Sequence, residues 1–318
     1  MNKVLYINTR IKHREQKNFQ LYYLSILVLF ALKIVFVNSV TKKEIIIFNY
    51  YFSEIHLVIQ GNGNQKILYS GFNLEPSEVY INGIKNNSCK KECYLIENNN
   101  KITLRFKINI KTCYSLFDSL KNITEINLSN FDASEVSDMG YMFYGCSNLK
   151  TINFGNINTS SLKNMNSMFD SCSKLTSINL TNFDVSGVTN MRNMFNNCSN
   201  LETINFGNIN TSSLINMNGL FQFCSKLTSI NLTNFDTCKV IDMGFTFNCC
   251  SNLEKINFGN INTSSVKDMN SLFQGCFKLT SIDLSSFDTS KVTNMEHMFS
   301  HCFNLENINF RKYKYFFC

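Results

Sequence analysis

Seven cysteines, Cys146, Cys172, Cys198, Cys224, Cys250, Cys276 and Cys302, follow one another at intervals of 26 residues. Each stands three residues after a phenylalanine, as in "MFDSC", Met168 to Cys172. An eighth copy comes first and carries Leu120 in the cysteine place. It keeps Leu116, Phe117, Ile123, Ile126, Leu128, Phe131, Asp132 and Met139. A fixed period of this size marks stacked supersecondary units, because one unit alone cannot bury its apolar face. A longer beat overlies it. "NFGNINTSS" begins at Asn153, Asn205 and Asn257, and the repeats between carry "INLTNFD" or "IDLSSFD". The unit of the most recent duplication is therefore a pair of repeats, 52 residues long.

Within one repeat, Leu175, Ile178, Leu180 and Phe183 point inward. The alternation around Ile178 and Leu180 predicts a short strand with one buried face. Asp184 or Ser186 then offers a side-chain oxygen to cap a helix. Val188, Met191, Met194, Phe195 and Cys198 follow at offsets that draw one apolar stripe on a short helix. The expected architecture is α/β: a solenoid of eight 26-residue strand–turn–helix repeats over residues 113–310. In front of it, 41–112 reads as a small β-rich capping domain. Its strands are "EIIIFNYYF", "EIHLVIQ", "KILYS", "EVYING", "CYLIE" and "ITLRFKI", with "GNGN" at Gly61–Asn64 as a hairpin turn. Such a cover hides the cross-section of core that an open solenoid end exposes. Residues 311–318 form a short tail.

The frame Met-Phe-x-x-Cys-x-x-Leu-x-x-Ile-x-Leu, with linkers such as "SFDTSKVTNMEHMF", Ser286 to Phe299, resembles the BspA-like leucine-rich repeat surface proteins of bacteria and protists. The resemblance runs from about Tyr114 to Phe310. One departure is that many such repeats place a proline after the strand, and none stands there in this chain. The resemblance implies a leucine-rich-repeat fold and an exposed, exported protein used in adhesion or recognition. It names no ligand.

The repeated cysteine invites a chemical reading. In a stacked coil the seven thiols form a one-dimensional ladder at about the strand spacing of ~5 Å. A zinc site needs about four converging ligands, and histidine is absent from most repeats. Packing is therefore preferred to disulfides between adjacent turns, and both to metal or redox chemistry. Leu120 agrees, since leucine fills space and ligates nothing. Cys89, Cys93 and Cys113 lie outside the ladder, where the cap closes, and a Cys89–Cys93 or a Cys93–Cys113 disulfide is the candidate pairing. Glu296, His297, His301 and Cys302 come close in "EHMFSHC", with the two histidines spaced to share a helix face. They read as solvent positions beside a core cysteine. The alternating column Asp132, Asn158, Asp184, Asn210, Asp236, Asn262, Asp288 reads as helix caps, not calcium ligands. No metal, cofactor or catalytic residue is expected, and no enzyme.

The candidate binding residues are Asn127, Asn153, Asn179, Asn205, Asn231, Asn257, Asp283 and Asn309. They sit between the inward residues of the strands and so face outward, on the concave side of a leucine-rich-repeat coil. The row is polar and nearly uncharged. It reads as a hydrogen-bonding surface for a protein or glycan partner, or as a solvated face kept by duplication. Asn127, Asn179 and Asn231 are also three of nine Asn-x-Ser/Thr sequons, so glycans there would crowd the same face.

The N-terminus sets the compartment. A basic stretch precedes "LYYLSILVLFAL", Leu21 to Leu32, an apolar run suited to a signal-peptide core. Residues 1–40 are expected to be a cleaved signal peptide or, if Lys33 snorkels, a single-pass anchor with a cytoplasmic N-terminus. The formal charge of +7 collects at the chain ends, so no basic face suggests nucleic acid. The expectation is a non-enzymatic secreted or cell-surface protein that recognises a protein or glycan through the concave face. The alternative is a structural coat protein that self-associates end to end.

Overall fold

The computed structural model describes residues 52–310. The expected signal or anchor, the start of "EIIIFNYYF" and the tail from 311 lie outside them. Within unit 52–310 the chain forms fourteen strands and no helix. Six precede the repeats: β1 (Ser53–Gln60), β2 (Gly63–Lys66), β3 (Glu78–Ile81), β4 (Ile84–Asn86), β5 (Glu92–Leu95) and β6 (Asn99–Phe106). Eight belong to the repeats: β7 (Ile123–Asn127), β8 (Thr151–Asn153), β9 (Ser177–Asn179), β10 (Thr203–Asn205), β11 (Ser229–Asn231), β12 (Lys255–Asn257), β13 (Ser281–Leu284) and β14 (Asn307–Phe310). The repeats are thus a β-solenoid of about seven turns, and the expected strand–turn–helix repeat is wrong in its helix.

The helix fails for a reason visible in the hydrogen bonds. In Met191–Cys198, alternate residues serve different partners. The N–H groups of Met191, Asn193, Phe195 and Asn197 donate to Asn216, Asn218, Leu220 and Gln222 of the next coil, at 2.8–3.0 Å. Those of Met194, Asn196 and Cys198 close tight turns onto Met191, Asn193 and Phe195 at 3.1–3.2 Å. An α-helix spends all these donors on carbonyls four residues back. Here half of them stitch one coil to the next. The geometry needs two left-handed residues per coil, Asn193 (φ 53°) and Asn197 (φ 57°) in this one. Equivalent pairs include Ser167 with Ser171 and His297 with His301. A left-handed non-glycine residue costs ~1–2 kcal/mol, and it breaks any helix.

The apolar stripe is nevertheless buried. Leu175, Ile178, Leu180, Phe183, Val188, Met191, Met194, Phe195 and Cys198 all lie inside the coil. Full burial of each large apolar side chain contributes about 1.5–3 kcal/mol. Phenylalanines stack continuously from Phe117 through Phe143, Phe169, Phe195, Phe221, Phe247 and Phe273 to Phe299. Their ring centroids are 5.4–5.9 Å apart and their planes within 20°.

Ahead of the solenoid, β1 pairs antiparallel with β6 on one side and with β7 on the other. The sheet order is β4-β3-β6-β1-β7-β8. The edge of the first coil is therefore covered by β1. The turn at Gly61–Asn64 does not make a hairpin: β1 joins β6 and β7, while β2 pairs with β5.

The 52-residue beat also has a structural form. β7 pairs with β8, β9 with β10, β11 with β12 and β13 with β14, all parallel. Successive pairs fall in different sheets. At the seams, Phe154 meets Phe183, Phe206 meets Phe235 and Phe258 meets Phe287 edge to face, at 4.8–5.0 Å. One coil carries its bulk just after the strand and the next carries it three residues later, so large faces small. Buried threonines hold the seams: Thr159 Oγ1 donates to the Asp184 carbonyl at 3.0 Å and accepts the Asp184 N–H at 2.8 Å. Hydrogen exchange should report the pairing. The amides of Leu128, Leu180 and Leu232, which bond Asn153, Asn205 and Asn257 across each pair, are expected to exchange at least about tenfold more slowly than those of Phe154, Phe206 and Phe258 at the seams. Equal rates would refute the pairing.

Candidate functional site

Three columns of Asx residues run along the solenoid, and each makes a corner. In the first, Asn127, Asn153, Asn179, Asn205, Asn231, Asn257 and Asp283 accept the backbone N–H two residues on, at 2.8–3.1 Å. In the second, Asp132, Asn158, Asp184, Asn210, Asp236, Asn262 and Asp288 do the same at 2.9–3.1 Å. The third, Asp138, Asn164, Asn190, Asn216, Asp242, Asp268 and Asn294, does so at 2.7–3.1 Å. These are Asx-turns, the side chain standing in for a backbone carbonyl. The second column caps no helix, which corrects that expectation. The third was missed, because its Asn-x-Asn and Asp-x-Gly steps were absorbed into the imagined helix.

The first column is the predicted binding row. Asn153, Asn179, Asn205, Asn231, Asn257, Asp283 and Asn309 are exposed, and Asn127 is half-buried. In register, Asn127 lies beside Asn153, Asn179 beside Asn205, Asn231 beside Asn257 and Asp283 beside Asn309. Asn309 Nδ2 donates to Asp283 Oδ1 at 3.2 Å. Each turn takes one lone pair of the side-chain oxygen, so the asparagines keep the outward amide NH₂ as donor beside one remaining acceptor site.

At the cap end this row enters a groove of ≈ 610 Å³ formed by β6, β1, β7 and β8. Outward residues His56, Lys101, Thr103, Glu125 and Thr151 line it together with Asn127 and Asn153. His56 Nδ1 lies 3.0 Å from Thr103 Oγ1, and Nε2 lies 3.7 Å from Glu54 Oε2. Beyond it, Arg105 Nε donates to Glu54 Oε1 at 2.6 Å, and the guanidinium lies 4.7 Å from the Tyr80 ring centre. Lys85 bonds Glu78 at 2.8 Å and holds its carboxyl down at about 2, helped by the Tyr80 hydroxyl. Sequence reasoning missed these charged residues. The available signal was their alternation with the buried Ile55, Leu57, Ile102 and Leu104.

The cysteine ladder has a role more specific than filling. Each thiol donates to the carbonyl of the phenylalanine one coil below: Cys146 to Phe117, Cys172 to Phe143, Cys198 to Phe169 and so on to Cys302 with Phe273, at 3.0–3.2 Å. Burial pushes the Cys146 thiol up to about 12 and moves the other members the same way. A thiol kept protonated is a poor nucleophile and a poor ligand. Cys89 and Cys93 are disulfide-bonded with Cα atoms 4.9 Å apart, while Cys113 is buried and free. His297 and His301 share no helix face, since both are left-handed turn residues. Among the described residues no group of three or more His, Cys, Asp or Glu is placed to hold a metal ion.

Two segments of the chain, residues 111–230 and 216–315, match the family described as "Mycoplasma protein of unknown function, DUF285". The chain belongs to this family. The matched residues of the family are the solenoid itself. A crystal structure of a leucine rich cell surface protein from Faecalibacterium prausnitzii A2-165 is similar over 62% of this chain and 75% of that one, at 16% identity and a TM-score of 0.25. No curated protein matches. Among the described residues no helix is long and apolar enough to cross a membrane.

Two outcomes test the site's physical basis. Cys198→Ala is expected to lower stability by ~1–2 kcal/mol, through a lost hydrogen bond and a small cavity. Cys238→Ala, half-exposed and off the ladder, loses only a thiol contact with Asp236 and is expected to shift stability by less than ~0.5 kcal/mol. Acid should act through the second column. Hydrogen bonds from the residue two positions on hold Asp184, Asp236 and Asp288 below the usual carboxylate range. Their stabilisation is present above the unfolded pKa of about 4 and is lost as pH falls through the lower folded values. Changing all three to Asn, which keeps the acceptor without titrating, is expected to flatten stability against pH below about 4. An unchanged slope would count against it.

Proposed function

We propose that the chain is a non-enzymatic, exported surface protein that recognises a protein or glycan partner through the strand face of its solenoid. The observation that carries this reading is the outward Asx row, continuous from Asn127 to Asn309 and opening into the groove at His56. Side-chain amides at regular spacing, flanked by hydroxyls such as Ser177 and Thr181, suit hydroxyl and carbonyl acceptors on an extended ligand. Export is supported by the basic and apolar pattern of residues 1–40.

The turns decide how to test it. Replacing the row with bulky residues would also break the corners. Aspartate keeps the turn acceptor, as Asp283 does naturally, and removes the outward donor. Full-length protein is to be screened on glycan and matrix-protein arrays, then compared with the triple variant Asn153→Asp, Asn205→Asp, Asn257→Asp. The expected result is at least about tenfold weaker binding, from the three amide donors removed, at an unchanged melting temperature. Equal binding by the variant would remove the strand face from consideration.

A further inference from the structure

Away from the strand face, the loop after β2 packs against the turns of the first two coils. Tyr69, Tyr114, Tyr141 and Tyr144 meet there and line, with Asp118, a cleft of ≈ 630 Å³. The rings of Tyr114 and Tyr141 are 5.5 Å apart and tilted by 59°, and those of Tyr141 and Tyr144 are 5.5 Å apart and tilted by 55°. Tilted rings make walls around a centre, where parallel ones would make a platform for a flat ligand. The backbone leaves them room. A Cβ on Gly71 would come within 2.6 Å of the Tyr69 ring, and one on Gly140 within 3.3 Å of the Tyr114 ring.

The charged side chain in the lining of the cleft is a carboxylate, Asp118. Asp118 accepts from the hydroxyls of Ser119 at 2.7 Å and Ser115 at 3.3 Å. Among the described residues no lysine or arginine is part of the lining, while Lys91 Nζ is bonded to the carbonyls of Ser70 and Phe72. The Tyr114 hydroxyl is pushed up by burial first, then by Tyr141 and by the carboxylates of Asp138 and Asp118. Aromatic faces add their own negative potential. A small hard cation would demand several oxygen ligands in place of its water, and the cleft offers ring faces instead. An organic cation with a methylated, weakly hydrated head satisfies both the ring faces and the carboxylate.

We propose that this cleft binds a quaternary ammonium group, held by the rings of Tyr69, Tyr114, Tyr141 and Tyr144 with Asp118 as its counter-charge. The assignment stands apart from the strand-face reading and survives its failure.

Calorimetric titration of the full-length protein with choline, with tetramethylammonium and with 3,3-dimethyl-1-butanol, the uncharged shape-mimic of choline, tests it. Both cations are expected to bind, and the alcohol at least about tenfold more weakly. Tyr141→Gly removes a ring at a residue whose φ is 56°, a conformation glycine adopts freely, so the fold is expected to persist. That variant and Asp118→Asn are each expected to weaken choline binding about tenfold, and Tyr141→Phe to keep it. Equal binding of the alcohol, no binding of either cation, or unchanged binding by Asp118→Asn would each overturn the proposal.

Discussion

In the solenoid, every residue lies against its own equivalent 26 positions away, as Ile126 on Ile152 and Ile178 on Ile204. A side chain is therefore retained only if it packs well on a copy of itself or on the copy's near variant. Phenylalanine does so by stacking, and the run from Phe117 to Phe299 is the consequence. Asparagine and aspartate do so because each bonds its own backbone, and some, as Asn164 on Asp138 and Asn309 on Asp283, bond their copy as well. A column of bare charges would repel, and the strand-face row carries a single acid, Asp283, among its eight members. The near-neutrality of that face is thus a stacking rule before it is a binding property.

The same constraint explains the cysteine and its exception. A thiol at this position reaches the phenylalanine carbonyl of the coil below. The first coil has no such coil beneath it, and there the position is Leu120, still buried. Filling would be served equally by leucine throughout. What distinguishes cysteine is a weak donor on a small apolar side chain, which satisfies a carbonyl inside the core without adding a polar atom that needs more partners. The ladder's interaction is hydrogen bonding, and burial raises its thiols away from the thiolate form.

Much of this was legible in sequence. The 26-residue period announced the solenoid, and the inward set Leu175, Ile178, Leu180, Phe183 is buried as the alternation required. The helix was misread because Val188, Met191, Met194, Phe195 and Cys198 have a spacing that a helix and a run of tight turns share. Periodicity reports which side chains face the core, and it is silent on where the backbone N–H groups go. The residues that decided the matter were the unremarked ones: Ser, Asn and Gly at pairs such as Ser167 with Ser171 and Asn193 with Asn197, four apart, where left-handed turns were needed. The charged groove escaped for another reason. His56, Lys101 and Glu125 come together only through the pairing of β1 with both β6 and β7, and sequence suggested a hairpin of "IHLVIQ" with "KILYS" instead.

The turn-making role of the asparagine row bears on the binding role proposed for it. Because each turn needs a side-chain oxygen that accepts from the i+2 amide, the row is built from Asn and Asp alone, seven and one among its eight members. The row itself then carries little capacity to discriminate one partner from another. Discrimination falls to the positions free of that duty. These are the flanking outward residues, Ser177 beside Thr203 and Ser229 beside Lys255, and the charged side chains of β1 and β6 at the cap end. On the proposed reading, the repeated amide row would supply affinity common to the length of a ligand. The groove at His56 occurs once per chain and not once per coil, so on the same reading it would set the register.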